Sequence, residues 1–403
     1  MKLLRPLALA LCAIAPALHA VPMPSFTFLD SFGSKGTGNG RFDFPYGVAV
    51  DVPASRVYVT DFNNDRVQRF DPAGKYKSQW GTSGVGNGQF DGPGGVAVRQ
   101  GSGHIYVADI VNNRIEHFDQ DGVYRSSWGM PGVLPSQFDG PSSIAINQKT
   151  GVIYVSEQGN NRVQYFSAKG EWLGMWGGKG SGKGKFNSPL GIAVNSTTGQ
   201  VYVAEYGGAR VQRFSAKGNY ETQWGSDGAG NGQFSNPVGL AVDSLGRIFV
   251  ADSGNQRAQV FDADGNFLAK FGSGGTGDGK FKLPYNIALG GKGIVYVVDA
   301  TGNRVSRWQL ADPPTVTISG AKKRATTLAA LTIRGTATSS DGSPAIRKVT
   351  ATVNKRAYKA AGTTAWKFRA ALRVGKNKIT VIATDTSGAK SEPAVLIVTR
   401  KAE

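Results

Sequence analysis

An all-β chain is what this sequence predicts, built as an array of small four-stranded units followed by a compact basic β domain. Three observations carry that expectation. Phenylalanines recur at Phe42, Phe90, Phe138, Phe186, Phe234 and Phe281, a period of 48 residues with 47 at the last step. Within each period four short strand-like runs alternate with glycine or asparagine turns. After about residue 311 the period stops, and the chain continues as alternating, lysine- and arginine-rich segments. No window shows the 3.6-residue apolar period of a helix, which excludes a helical solenoid.

Each element of the unit has its own signal. The first strand follows a proline, as in "PYGVAV" from Pro45 and "PLGIAV" from Pro189. A second follows in "RVYVTD" or "QVYVAE", a third in "RVQRFD" or "RVQRFS", and a fourth closes in "QWG" or "KFG". Four strands per unit, separated by turn residues, is the signature of a β-propeller blade.

The phrases "GVAVD", "VYVTDFNNDRVQRF" and "GTSGVGNGQF" resemble the NHL repeat family, and the resemblance covers residues 26 to 310. Six such repeats imply a six-bladed propeller. The sixth repeat stops near Leu310 without a fourth strand, whereas "FTFLDSFG" near the start has the fourth-strand pattern. The N-terminal strand is therefore expected to complete the last blade and remove the open sheet edge.

Every unit repeats an acid and an arginine five residues apart: Asp61 and Arg66, Asp109 and Arg114, Glu157 and Arg162, Glu205 and Arg210, Asp252 and Arg257, Asp299 and Arg304. The acid ends the second strand and the arginine starts the third, so a tight turn brings them together. Charges among packed blades are tolerable when paired and hydrogen-bonded. The pairs read as structural clamps; the sharper alternative is a cationic ring for an anionic ligand.

What differs between units bears more on binding, because repeated residues build the scaffold and exceptions sit on loops. After the proline stand Tyr46, Gly94, Ser142, Leu190, Val238 and Tyr285; after the acid stand Phe62, Ile110, Gln158, Tyr206, Ser253 and Ala300. Both loops reach one face of a propeller. Tyr46, Phe62, Tyr206 and Tyr285 are accordingly the candidate ligand-binding residues, with Tyr46, Phe62 and Tyr285 brought into one patch by ring closure. The competing reading is that these rings fill gaps between loops.

Other motifs fail on inspection. "GGKGSGKG", residues 177 to 184, nearly matches a phosphate-binding loop, but Gly184 replaces the hydroxyl residue and a strand follows where a helix is required. "GSGGTG", residues 272 to 277, fails for the same reason. Peptidyl-hydroxyglycine lyases, similar to this family, hold zinc with several histidines. Past the leader this chain has only His104 and His117, aligned with variable positions, which argues against a zinc lyase. Calcium in the central tunnel, as in lactonase-like propellers, would require inner carboxylates, for which Asp43, Asp91 and Asp139 are poor candidates. No Ser-His-acid set stands out. No catalytic residue, metal ligand or cofactor is predicted.

Residues 1–20 read as a cleaved signal peptide: Lys2 and Arg5, an apolar run of about eleven residues, then small residues. The single cysteine, Cys12, lies inside it. Secretion, a periplasmic location or attachment to the cell surface is expected, with no transmembrane segment after cleavage. Residues 21–311 form the predicted propeller and 312–403 a small sandwich. Of the formal net charge of +18, residues 313–403 carry +13 and the propeller only +3. "LRVGKNKITVIATDTSG", residues 372 to 388, resembles bacterial immunoglobulin-like domains, which implies an Ig-like sandwich with Trp366 in its core.

Together these features predict a secreted or envelope-associated, non-catalytic binding or scaffold protein, monomeric, whose propeller face takes a protein or glycan. Residues 313–403 would associate with an anionic surface or polysaccharide, or simply keep the domain soluble. A calcium-dependent lyase or lactonase-type propeller enzyme is the alternative. Nucleic acid, bound by animal proteins resembling this family, is not expected, because a propeller charge of +3 offers phosphate little attraction.

Overall fold

A computed structural model describes residues 23–320, 323–339, 345–386 and 389–402; the predicted signal peptide lies outside them. The first blade consists of antiparallel strands Pro45–Asp51, Arg56–Asp61, Arg66–Phe70 and Tyr76–Trp80, in that order from hub to rim. Four further sheets, starting at Pro93, Pro141, Pro189 and Pro237, repeat it. The sixth has Pro284–Leu289, Ile294–Asp299 and Arg304–Ala311, and Ser25–Phe32 supplies its outer strand. Among the described residues the only helical turns are two short 3-10 segments, and no helix is long and apolar enough to cross a membrane.

Burial explains the sequence of each strand. The first three strands of a blade are largely covered; the first two therefore read as mainly apolar runs, while the third, as in "RVQRF", alternates apolar residues with hydrogen-bonded polar ones. The rim strand faces solvent on one side and alternates, as "YKSQW" does. First strands of neighbouring blades touch all the way round, including the sixth against the first. Glycine permits that approach: a Cβ on Gly191 would lie 1.8 Å from the Val238 carbonyl oxygen, and one on Gly95 would lie 2.6 Å from the Ser143 Cα.

An apolar cluster fills each of the six interblade gaps. The repeated phenylalanines from Phe42 to Phe281 are all fully buried in them, each contributing roughly 1.5–3 kcal/mol relative to exposure. The closing seam is built like the others. Tyr296 donates its hydroxyl to the Pro72 carbonyl at 2.8 Å, as Tyr106 does to Ala168 and Tyr154 to Ala216 at 3.1 Å. Phe26 stacks on Phe271 with centroids 4.1 Å apart, and Asp30 pairs with Arg307. These contacts give the N-terminal strand a packed place in the ring.

Beyond the propeller, a three-stranded and a five-stranded sheet pack as a sandwich. Its core contains Ile333, Val349, Trp366, Phe368, Ile379 and Leu396. The strands expected from "ALTIRGTATS", "IRKVTATVN", "AWKFRAAL", "NKITVIATDTSG" and "AVLIVTR" are present, with three additional short ones at Thr315–Ile318, Lys323–Thr326 and Arg356–Lys359. The chain leaves the propeller under restraint. Arg247, 2% exposed, bonds Asp243 through Nε at 2.6 Å and Asp312 through Nη2 at 3.2 Å, so its charge is matched within a cleft of about 410 Å³ on the side away from the loop face.

Candidate functional site: the loop face of the propeller

The acid and arginine of each hairpin meet. Arginine Nε lies 2.8 Å from Asp61, 2.9 Å from Asp109, 2.6 Å from Glu157 and Glu205, 2.8 Å from Asp252 and 3.1 Å from Asp299, for Arg66, Arg114, Arg162, Arg210, Arg257 and Arg304 respectively. All six acids are fully buried. Asp61 also accepts from the Asp43 amide at 2.7 Å, from Asn64 at 2.9 Å and from Gln68 at 3.1 Å. Even so, burial pushes the Asp61 and Asp109 carboxyls above the usual range, against the pull of these donors.

The guanidinium groups also donate to backbone carbonyls. Arg66 donates to the carbonyls of Thr37, Gly38 and Arg41 at 2.6, 3.0 and 2.9 Å. Each pair thus ties a hairpin to the glycine-rich loop that carries the chain in from the preceding rim strand. That loop, the hairpin turn and the proline of the first strand all lie at one end of the blade.

Near the hub, the aromatic residues come together where the first and sixth blades adjoin. Tyr46 lies 5.8 Å from Phe62 in a stacked arrangement and 4.7 Å from Tyr285 edge-on. Phe44, which sequence reasoning missed, joins both, 6.0 Å from Phe62 and 5.7 Å from Tyr285. Tyr46 is only 6% exposed, so it supports the patch and presents little surface. Burial raises the Tyr46 and Tyr285 hydroxyls above the ordinary tyrosine range.

From this patch a cavity of about 370 Å³ opens across the face toward the third, fourth and fifth blades. Phe44, Tyr206 and Tyr285 supply its rings, Leu190 and Leu283 its aliphatic surface, and Gln158 and Asn236 its amides. Tyr206 is 38% exposed at its edge. Asn236 donates to the Tyr206 carbonyl at 3.3 Å, and Ser253 turns its hydroxyl to the Pro284 carbonyl. Every side chain lining the cavity is uncharged. Among the described residues no group of three or more His, Cys, Asp or Glu side chains comes together, and Asp43 accepts from Asn63 at 3.2 Å.

Phe44 carried a signal in the sequence. The equivalent places in the second to fifth blades hold Gly92, Gly140, Ser188 and Asn236, all with positive φ, and Phe44 adopts the same conformation at φ 56°, whereas Leu283 of the sixth blade does not. A bulky residue there is strained. The latch at this place is a hydrogen bond to the preceding blade: the Phe44 amide donates to Asn303 Oδ1 at 2.9 Å, and the Gly140 amide to Asn113 Oδ1 at 2.9 Å.

Comparison with known proteins agrees with this geometry. The NHL repeat family matches at residues 42–70, 186–214 and 234–261, which are stretches of the first, fourth and fifth blades. The chain carries NHL repeats. The second, third and sixth blades fall outside those matches yet place their acid and arginine in the same way as the NHL repeats do. No curated protein matches the chain.

Among solved structures, the chain is similar to a structural genomics protein of unknown function from Bacteroides thetaiotaomicron. Identity is 16%, over 71% of this chain and 76% of that one, with a TM-score of 0.56. It is also similar to a streptogramin B lyase, at 15% identity over 71% of this chain and 98% of that one, TM-score 0.50. A gluconolactonase from Xanthomonas campestris aligns at 15% identity over 74% and 99%, TM-score 0.49. The first two likenesses establish the propeller fold.

Proposed function

We propose that the chain is an exported, non-catalytic binding protein whose propeller loop face holds a glycan, and whose cationic, immunoglobulin-like sandwich associates with anionic surfaces or polysaccharide. In this reading the acid and arginine pairs are clamps that keep the loop face rigid. The carrying observation is the uncharged cavity in which Phe44, Tyr206 and Tyr285 stand beside the amides of Gln158 and Asn236. Flat rings pack against the C–H faces of sugars, and amides and phenols exchange hydrogen bonds with hydroxyls. Of the two ligand classes expected from the sequence, protein and glycan, a glycan without charge suits this uncharged lining better.

The second half of the reading rests on the outer face of the three-stranded sheet. Exposed Arg334 and Lys367 sit directly opposite each other, and exposed Arg369 lies in the next row opposite Thr332. Like charges placed opposite one another destabilise a sheet, so an anionic partner would relieve the repulsion. Streptogramin B lyase shares the fold, which makes a calcium-dependent lyase or lactonase the competing reading; stoichiometric calcium retained through dialysis would favour it.

Screening the full chain against neutral and acidic glycans, beside Tyr206→Ala and Tyr285→Ala, tests the cavity. Neutral ligands should be lost from both variants. Retention in both, or selection of acidic glycans only, would refute the assignment. Arg334→Glu with Lys367→Glu should lower the salt needed to elute the full chain from heparin, and unchanged elution would remove the sandwich from the surface-binding role.

A further inference from the structure

We propose that His104 and His117 form a two-imidazole chelate for an exchangeable late first-row divalent ion, Cu(II) before the others. The chain has three histidines, and the two in the propeller meet on one hairpin of the second blade. His104 Nδ1 lies 2.8 Å from His117 Nε2, with both rings half-buried. Two nitrogens each about 2.0 Å from a square-planar ion, at a right angle, stand about 2.8 Å apart. The spacing of a hydrogen-bonded imidazole pair is therefore also that of a cis chelate, and each ring swings by about 45° to turn its lone pair from the N···N line onto the ion.

The strands fix the rings. Tyr106 pairs with His117, and His117 with Ser126, in one row across three strands. His104, two residues before Tyr106, reaches the same face by strand alternation. Tyr106 stacks on the His117 ring at 4.6 Å and 10°, and His117 Nδ1 lies 3.2 Å from the Ser126 hydroxyl. With Nδ1–H donated to Ser126, the lone pair of Nε2 points at His104, an outer-shell arrangement that sets the tautomer of a metal ligand.

Proton balance is simple. Without metal, His104 Nδ1–H donates to His117 Nε2. On binding, His104 moves its proton to its own Nε2, freeing Nδ1, so two neutral imidazoles face the ion and no proton is released; water fills the other positions. The charged groups nearby are Arg125, paired with Asp119 at 2.5 Å, and Arg99 beside Tyr106. These cations favour loose, exchangeable binding over permanent occupancy.

The hairpin does not need imidazoles to fold. The equivalent positions hold Arg56 and Arg69, Val152 and Tyr165, Gln200 and Arg213, Arg247 and Val260, and Ile294 and Arg307. Arg69 and Arg213 reach across to the next blade, bonding the carbonyls of Gln120 and Ala263. In the second blade the histidine at that place turns to its own hairpin instead.

Titration of the full chain with Cu(II) in a non-coordinating buffer at neutral pH should give one saturable equivalent, with nitrogen hyperfine structure from two imidazoles in its paramagnetic resonance spectrum. His104→Gln and His117→Tyr install residues that the fourth and third blades already carry, so both should fold, and each should lose that equivalent. Ser126→Ala should weaken it about tenfold. Copper held by the amino terminus would persist in all variants. A two-imidazole spectrum surviving in His104→Gln or His117→Tyr, or no saturable equivalent in the parent, would overturn the proposal.

Discussion

Replacing Glu116 by glutamine should stabilise the propeller at alkaline pH and leave it nearly unchanged at acid pH. The reason lies in a position that four other blades fill with glutamine. Gln68 accepts from the Gly40 amide at 2.9 Å, and donates to the Arg41 carbonyl at 2.6 Å and to Asp61 at 3.1 Å. Gln164, Gln212 and Gln259 make the same three contacts. In the second blade the fully buried Glu116 keeps the acceptor role, with Gly88 N–H at 3.2 Å and Arg114 at 3.1 Å. Its Oε2 has no partner, because a carboxylate cannot donate where the amide does.

Burial, with the Asp109 carboxylate adding to it, raises Glu116 to about 7 against the pull of Arg114 and the Gly88 amide. Its ordinary value is 4.5, so the folded state favours the protonated form. Below that ordinary value there is no penalty. The penalty grows as pH rises and is complete above about 7, where it reaches about 3 kcal/mol. Urea unfolding of the parent and of Glu116→Gln at pH 4, 5.5, 7 and 8.5 reads the difference directly. It should climb from near zero to about 3 kcal/mol, and other titrating groups largely cancel between the two proteins. A difference that is flat with pH, or a destabilised variant at pH 8.5, would refute the reasoning.

Removing residues 21 to 34 should open the ring by stripping the outer strand from the sixth blade, uncovering Phe271 and Trp308; a sharply lowered melting temperature is expected, and an unchanged one would refute closure by this strand. Arg162→Met leaves Glu157 buried without its cation and frees three carbonyl acceptors, those of Val133, Leu134 and Gln137. About 3–5 kcal/mol of stability should be lost in urea unfolding, and a loss below about 1 kcal/mol would mean that the pair holds nothing in place.

Much of the scaffold was legible because its signals are local and repeated. A buried first strand must be apolar, a hairpin turn needs its glycine or asparagine, and a phenylalanine in each interblade gap recurs with the blade. Closure by residues 25–32 was legible too, since "FTFLDSFG" has the rim pattern that the sixth repeat lacks. Contacts that depend on register were not. His104 and His117 are thirteen residues apart and align with variable positions, and only the pairing of Tyr106 with His117 shows that they touch. The pattern of Gly92, Gly140, Ser188 and Asn236 points to a positive φ at Phe44, but only the packing shows that its ring joins Phe62 and Tyr285. The tail's short strands, such as Arg356–Lys359, are too brief to alternate convincingly.

Sixfold repetition also limits what such a scaffold can bind. Six equal loops around a hub present six equal environments, which suits only a ligand with matching symmetry. An asymmetric ligand requires the mouth to differ between blades while the hub stays regular, and the residues follow that division. At the hub the alanines Ala49, Ala97, Ala145, Ala193, Ala241 and Ala288 keep one size in every blade. At the mouth the second blade is closed: a Cβ on Gly94 would meet Ile110 at 2.4 Å, so the isoleucine already occupies that space. On the far side Ser253 and Gly254 stay small between Tyr206 and Tyr285, and the cavity opens there. Trimming Tyr206, 38% exposed at the cavity edge, should therefore change ligand binding with the melting temperature kept, whereas enlarging Gly191, whose Cβ would lie 1.8 Å from the Val238 carbonyl oxygen, should lower the melting temperature itself.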